Sequence, residues 1–242
     1  MSHVKNNPAE TFARDGFLIV PGLFPAAEMK PIKAEIATVL DAVRSEALAR
    51  GDDPEKAIHG GVYVGLSARN AVARQLSRDP RILDILEAIY APNIEFLSDK
   101  VVFKSHQTDY GTPWHQDWPY WHGSHKISVW LALDDATVEN GCMKLYPGSH
   151  RAPVEHDGQV APGETFGHRL RSDAVDEAKA VTAAVAAGGA VFFLDLTLHS
   201  SYPNVSGQDR WAWIGTYRDA QADDLDYSWA VAAAVVRGTG KK

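Results

Sequence analysis

The spacing of apolar residues changes once along the chain, near Pro92, and that change sets the class of fold open to it. Between Pro25 and about Arg50 the residues Met29, Ile32, Ile36, Val39, Leu40, Val43 and Ala47 recur at steps of three and four. They form one face of an amphipathic helix that Gly51 ends. A second helix is expected from Asp79-Pro80, with aspartate as N-cap and proline in the first turn, carrying Ile82, Leu83, Ile85, Leu86 and Ile89. Glu10–Asp15 reads as a short helix stopped by Gly16, followed by the apolar strand Phe17–Val20. Beyond Pro92 the runs Ile94–Lys104, Lys126–Leu133, Val181–Ala186, Ala190–Leu194 and Arg210–Tyr217 are short, β-branched or aromatic, and divided by glycine, proline and asparagine. Helices first and strands afterwards predict a mainly β protein with flanking α-helices on one side of an antiparallel sandwich or barrel. Arg151–Ala180 is polar and reads as a long loop or lid.

The 242 residues, 45% of them hydrophobic, suffice for one sizeable core, so residues 1–242 are expected to form a single domain with a lid-like insert at about 151–180. A net charge of −7 argues against a nucleic-acid partner, which calls for a basic patch. The polar start MSHVKNNPAE lacks a signal-peptide core, and no apolar run approaches a membrane span. Cys142 is the only cysteine, so no intrachain disulfide forms. The expectation is a cytoplasmic protein whose partner is a small molecule, with no membrane contact; no oligomeric state is read from the sequence.

Chemistry concentrates in TPWHQDWPYW, residues 112–121. On a strand His115 and Asp117 project to the same face while Trp114 and Gln116 project to the other. Two ligands are too few for a metal, and a His-x-Asp alone is usually an ordinary polar pair. Of ten histidines, His199 has the right setting for a third ligand: it lies 84 residues later, just past the apolar strand Ala190–Leu194. Two imidazoles and a carboxylate on one side of a metal leave the opposite positions open, the arrangement of non-haem Fe(II) oxygenases that admit a co-substrate and dioxygen. Such oxygenases commonly use 2-oxoglutarate, whose far carboxylate needs a cation. Arg210, 11 residues after His199, shares its strand face with Ala212, Ile214 and Thr216 and can bind a carboxylate through two parallel hydrogen bonds.

The chain resembles the phytanoyl-CoA dioxygenase family of iron- and 2-oxoglutarate-dependent oxygenases. The likeness is carried by RDGFLIVPGLF, APNIEFLSDKVVFK, PWHQDWPYW, ENGCMKLYPGSHR, GGAVFFLDLTLHSS and the Arg210 strand. It implies a double-stranded β-helix (jelly-roll, cupin-like) core, His115, Asp117 and His199 as iron ligands, and Arg210 as the 2-oxoglutarate clamp. By position it adds Ser201, Trp130 and Lys100 as residues lining the co-substrate site. The implied chemistry is C–H oxidation of a small natural-product or sugar-containing substrate, by hydroxylation or oxidative cyclisation such as orthoester formation, with succinate and carbon dioxide as co-products. Enzymes of antibiotic biosynthesis are the branch the compact chain resembles. Two alternatives stand beside this reading: an acyl-CoA hydroxylase of the same family, with Arg151, Arg169 and Arg171 for the phosphates, and a non-catalytic jelly-roll binding protein. Ser200 stands where the family often has glycine, and Lys100 where many relatives are uncharged.

Trp118, Tyr120 and Trp121 follow the ligands directly and are candidate substrate contacts. Cys142 and Met143 read as packing residues after the Asn140-Gly141 turn, and His150 as a loop-fixing residue. His59, His106, His122, His125, His156 and His168 lack a setting like that of His199 and read as surface or supporting residues.

Overall fold

The computed structural model describes residues 7–58, 61–106, 111–121, 123–156, 170, 175–224 and 227–241. The chain enters through α1 (Pro8–Asp15), where the Asn7 side chain accepts from the Ala9 amide and Pro8 fills a first-turn position that needs no donor. Gly16 ends it at φ 83°, so close to His150 that a Cβ there would lie 2.4 Å from the ring Nδ1. After β1 (Phe17–Val20), α2 (Ala26–Arg50) buries Met29, Ile36, Val39, Leu40, Val43 and Ala47; Ile32 is half-buried. The short elements α3 (Pro54–Ala57), β2 (Val62–Val64), α4 (Leu66–Arg69) and α5 (Ala71–Leu76) lead to α6 (Pro80–Ile89). Asp79 caps α6 through the Arg81 amide, and Ile82, Leu83 and Leu86 are buried.

The second half supplies β3 (Ile94–Lys104), α7 (Trp118–Trp121), β4 (Ile127–Ala132), β5 (Met143–Leu145), β6 (Val181–Ala183), β7 (Ala190–Leu194), β8 (His199–Ser201), β9 (Arg210–Asp219) and β10 (Ala234–Arg237). The run expected as Val181–Ala186 leaves its sheet at Ala183, and Val185 only bridges Ala136. Strands β1, β7, β4, β9, β3 and β10 form one sheet in that order, with β2 also on β3; β6, β5 and β8 form a second. All pairings are antiparallel.

Alternation along the strands divides the large sheet into two faces. Val101, Ile127, Val129, Leu131, Phe192, Trp213 and Tyr217 pack against the helices. Trp130, Ala132, Val191, Phe193, Ala212 and Ile214 face Met143, Leu145 and Ala183 of the small sheet. The protein is thus a two-sheet jelly roll with helices on one outer face, as expected. Asp99 ties the layers together, accepting from the Ser67 amide (2.9 Å), the Ser67 hydroxyl (2.6 Å) and the Trp213 indole (2.9 Å). Of the expected lid, residues 157–169 and 171–174 lie outside the described residues, as do His59, His122 and His168. The described remainder is anchored: Leu170 and Val175 are buried with Trp114 and Leu198. Among the described residues no helix is long and apolar enough to cross a membrane.

The segment after β9 is fastened by a buried ion pair. Lys126 Nζ lies 2.8 Å from Asp224, with both side chains essentially unexposed, and the Ser124 hydroxyl donates to the same carboxylate at 2.6 Å. Burial alone would raise the Asp224 pKa, but hydrogen bonds from Lys126, Ser124 and Tyr227 hold it well below the usual carboxylate range. Asp224→Ala leaves the ammonium buried without its counter-ion, at an expected cost of about 3–5 kcal/mol. A lower urea midpoint at unchanged slope is the readout. Because the folded-state pKa is depressed, this contribution is present above the unfolded value of 3.8 and is lost as pH falls below it.

Candidate active site

His115, Asp117 and His199 come together between the two sheets, with one ligand atom from each lying within 4.8 Å of the others, all buried. The junction is a single two-residue bridge: the His115 amide donates to the His199 carbonyl and the His199 amide to the His115 carbonyl, both at 3.0 Å. Here the strand expected over Trp114–Asp117 is corrected. Only His115 pairs; the Asp117 and Trp118 amides both donate to the Asp195 carbonyl (2.9 and 3.1 Å), and the chain turns into α7. Prolines at 113 and 119 remove two amide donors that a continuing ladder would need.

The imidazoles are set for ligation. Nδ1 of His115 donates to the Pro113 carbonyl and Nδ1 of His199 to the Thr197 carbonyl, each at 2.9 Å, which turns each Nε2 lone pair toward the cluster. Burial lowers both pKa values, and the neighbouring His199 lowers that of His115 further. The contact of 3.8 Å between His115 Nε2 and Asp117 Oδ1 therefore joins two acceptors, an arrangement that a bound cation would reconcile. Two nitrogens and one oxygen on one side suit a six-coordinate Fe(II) with open positions.

Gln116, which the alternation argument left facing away, is fully buried and holds the motif. Its Nε2 donates to the Leu196 and Ala152 carbonyls (2.6 and 3.0 Å), and its Oε1 accepts from the Val154 amide (2.9 Å). His156 accepts from the Gln116 amide at 2.9 Å, a supporting position. His125 pairs with buried Asp195 at 3.1 Å, and burial raises that carboxyl to about 6. His106 pairs with Asp209 near the surface. Cys142 is buried, and burial pushes its thiol up to about 11, an inert packing residue.

Arg210, at the start of β9, is 2% exposed. Its Nη2 donates to the Gly141 carbonyl (2.8 Å) and its guanidinium lies 5.4 Å from the Trp130 ring centre, yet Nε and Nη1 have no partner. Burial lowers its pKa to about 10. Lys104, directly across on β3, donates to the Tyr202 carbonyl, and burial together with Arg210 brings it to about 7. The buried Arg210 guanidinium, with two of its three nitrogens unpartnered, calls for an anion. Ser201 on β8 accepts from the Thr112 amide (3.0 Å). Lys100, half-buried on β3, makes no hydrogen bond or ion pair among the described residues.

The aromatic residues diverge because α7 is a helical turn. Trp118 lies 5.3 Å from the His125 ring, Tyr120 is 40% exposed, and Trp121 meets Trp229 at 6.0 Å, with Tyr227 stacked 5.0 Å beyond. Trp229 comes from the segment fastened by Asp224, and no local motif marks it.

A jelly roll whose sheets enclose a His-Asp-His cluster defines the class of non-haem iron oxygenases. The sequence profile of the phytanoyl-CoA dioxygenase (PhyH) family matches residues 12–212, and the chain belongs to that family. L-proline trans-4-hydroxylase of Streptomyces griseoviridis is 27% identical over 229 residues, covering 85% of this chain and 83% of that protein. Ectoine dioxygenase of Halomonas elongata is 26% identical over 220 residues, covering 83% of this chain and 66% of that protein. Among solved structures, the apo form of the non-heme monooxygenase ThoJ superposes with a TM-score of 0.78 at 27% identity, over 96% of this chain and 84% of ThoJ. The protein is an iron(II)- and 2-oxoglutarate-dependent dioxygenase.

Proposed function

We propose that His115, Asp117 and His199 hold the iron, that Arg210 binds the far carboxylate of 2-oxoglutarate, and that Trp130, Ser201 and Lys100 line the co-substrate. The observation that carries the reading is the Arg210 fork, buried with two of its three nitrogens unpartnered on the inner face of the large sheet. Iron, 2-oxoglutarate and dioxygen together supply the oxidising power, with succinate and carbon dioxide as co-products. The residues position and protect. The Nδ1 hydrogen bonds fix both imidazoles, Gln116 locks the turn between His115 and Asp117, and Trp130 covers the guanidinium against water.

The substrate we infer is a small natural-product or sugar-containing molecule, hydroxylated at a C–H bond or, where a hydroxyl neighbours that carbon, closed into a ring such as an orthoester. Trp121 and Trp229 support this, since their flat faces suit the apolar side of a sugar or fused ring. An acyl-CoA substrate needs cations for its phosphates; of the three candidates Arg151 is exposed and donates to the Arg14 carbonyl, and Arg169 and Arg171 lie outside the described residues. The test is 2-oxoglutarate turnover to succinate with three panels: glycosylated or polycyclic metabolites, free amino acids including L-proline, and acyl-CoA thioesters. Coupled stimulation by the first panel is expected; stimulation by acyl-CoA alone overturns the substrate assignment. No binding of iron or 2-oxoglutarate in anaerobic titrations returns the non-catalytic alternative. With the substrate in hand, Trp121→Ala and Trp229→Ala are each expected to raise KM about three- to tenfold, from the worth of one aromatic contact. Co-substrate affinity should stay unchanged.

A further inference from the structure

Two buried hydroxyls inside the sandwich have no hydrogen-bond partner, and they lie in one cross-strand row. Ser98 on β3 pairs in register with Thr216 on β9, and Thr216 with Ser128 on β4. Their side chains therefore leave the same face, about 5 Å apart from strand to strand. That face is the inner one: Ser128 also pairs with Phe193 of the inter-sheet core, and the next row on the same face is Lys100, Ile214 and Trp130. The three are 3%, 6% and 1% exposed, and neither Ser98 Oγ nor Ser128 Oγ meets a protein donor or acceptor. A hydroxyl buried in this way is destabilising unless something bonds to it.

The row lies beside the ligand cluster, one row beyond Lys100 and Trp130 and further still from Arg210. The Phe193 ring is 4.7 Å from that of His199. Thr216 is six residues beyond Arg210, about 20 Å along an extended strand. The carboxylate held at Arg210 therefore lies well short of the row, whose hydroxyls are left to face another molecule. Each hydroxyl both donates and accepts, as substrate hydroxyls do. An anion only accepts, and Lys100 in the next row is the group that would serve one.

We propose that Ser98, Thr216 and Ser128 form a hydroxyl ledge that hydrogen-bonds the polyhydroxylated edge of the substrate, a sugar ring or cyclic polyol. The proposal rests on the oxygenase reading above and gives it a substrate subsite. The test uses the iron- and 2-oxoglutarate-loaded protein under anaerobic conditions, with visible absorbance as readout and a panel of methyl glycosides and cyclitols as probes, L-proline serving as the carboxylate arm. At least one polyol is expected to perturb the absorbance of wild type. Its half-saturating concentration should rise about tenfold or more in the Ser98→Ala, Ser128→Ala double variant, the size of one lost buried hydrogen bond. Half-saturation by 2-oxoglutarate should not move. Without ligands, the double variant and Thr216→Val are expected to melt at or above the wild-type temperature, because the ledge is unpaired there. A lower melting temperature makes the hydroxyls structural and overturns the proposal. An intact 2-oxoglutarate band with no polyol response overturns the ledge alone, and no band at all overturns the oxygenase reading with it. A response to L-proline only, surviving the double variant and lost in Lys100→Met while that variant keeps the 2-oxoglutarate band, assigns an anionic substrate and likewise overturns the ledge.

Discussion

Alanine at His115, Asp117 or His199 is expected to abolish coupled turnover and iron binding while leaving a folded protein. Groups that only orient metal ligands already cost ten- to a hundredfold when removed, so losing a ligand itself should exceed about a hundredfold in both iron affinity and turnover. The fold should survive because these side chains contribute little to it. Each imidazole gives up one hydrogen bond to a carbonyl, about 1 kcal/mol. The bridge between residues 115 and 199 is made by backbone groups and persists. The check is iron content and succinate formation beside circular dichroism and melting of the same samples. Iron-dependent turnover at wild-type rate in any of the three variants would remove that residue from the ligand set. Gln116→Ala tests the support separately. It should keep the three ligands, melt lower because the Val154 amide and the Leu196 and Ala152 carbonyls lose a partner, and weaken iron within the ten- to hundredfold range of orienting groups.

The His115, Asp117 and His199 cluster was legible because its signals are local and ordered. A His-x-Asp, a histidine just past a buried strand and an arginine opening the next strand are each readable from one sequence segment, and the strands β3 and β7 end where turn residues predict. What the sequence hid is what depends on register or on distant chain. Ser98, Thr216 and Ser128 look like ordinary strand hydroxyls until pairing of β3, β9 and β4 puts them in one row. Trp229 meets Trp121 from a distant segment, five residues past the Asp224 that pairs with Lys126. The alternation rule also failed where it was trusted most. It assumed a strand through residues 114–117, but one carbonyl, that of Asp195, collects two successive amides and bends the chain into a helical turn. The ligands still converge, since bridging at His115 and a bend at Asp117 place both side chains toward the small sheet's His199. The aromatic residues after them do not share a face, which is why Trp118, Tyr120 and Trp121 part company.

Arg210→Ala is expected to weaken 2-oxoglutarate binding by roughly thirtyfold to a few thousandfold, the equivalent of about 2–5 kcal/mol for one partner of a buried, hydrogen-bonded charge pair. Arg210→Lys should recover only part, because an ammonium has one centre where the guanidinium offers a planar fork. The ligand-free protein should respond in the opposite direction. Nε and Nη1 are buried without acceptors, and burial already pulls the guanidinium pKa down to about 10, so the arginine is held at a cost that its partner offsets only when bound. Arg210→Met keeps the volume and removes the charge. It is therefore expected to melt at or above the wild-type temperature without ligand, after allowing for the lost hydrogen bond to Gly141. It should also lose the rise in melting temperature that 2-oxoglutarate gives wild type. Anaerobic titration and melting on the same variants separate the outcomes. Weak co-substrate binding with preserved or raised ligand-free stability places the far carboxylate at Arg210. Normal 2-oxoglutarate affinity in both the alanine and methionine variants moves the clamp to Lys104 or Lys100, the other cations on the inner face of β3. Lys104, brought to about 7 by its buried position beside Arg210, should return toward an ordinary lysine value once that arginine is gone, because one of the two causes of the shift goes with it. A carboxylate held between the two cations would make co-substrate affinity in wild type fall as pH rises through about 7. In Arg210→Met that dependence should move to higher pH, which a titration series across that range reads directly.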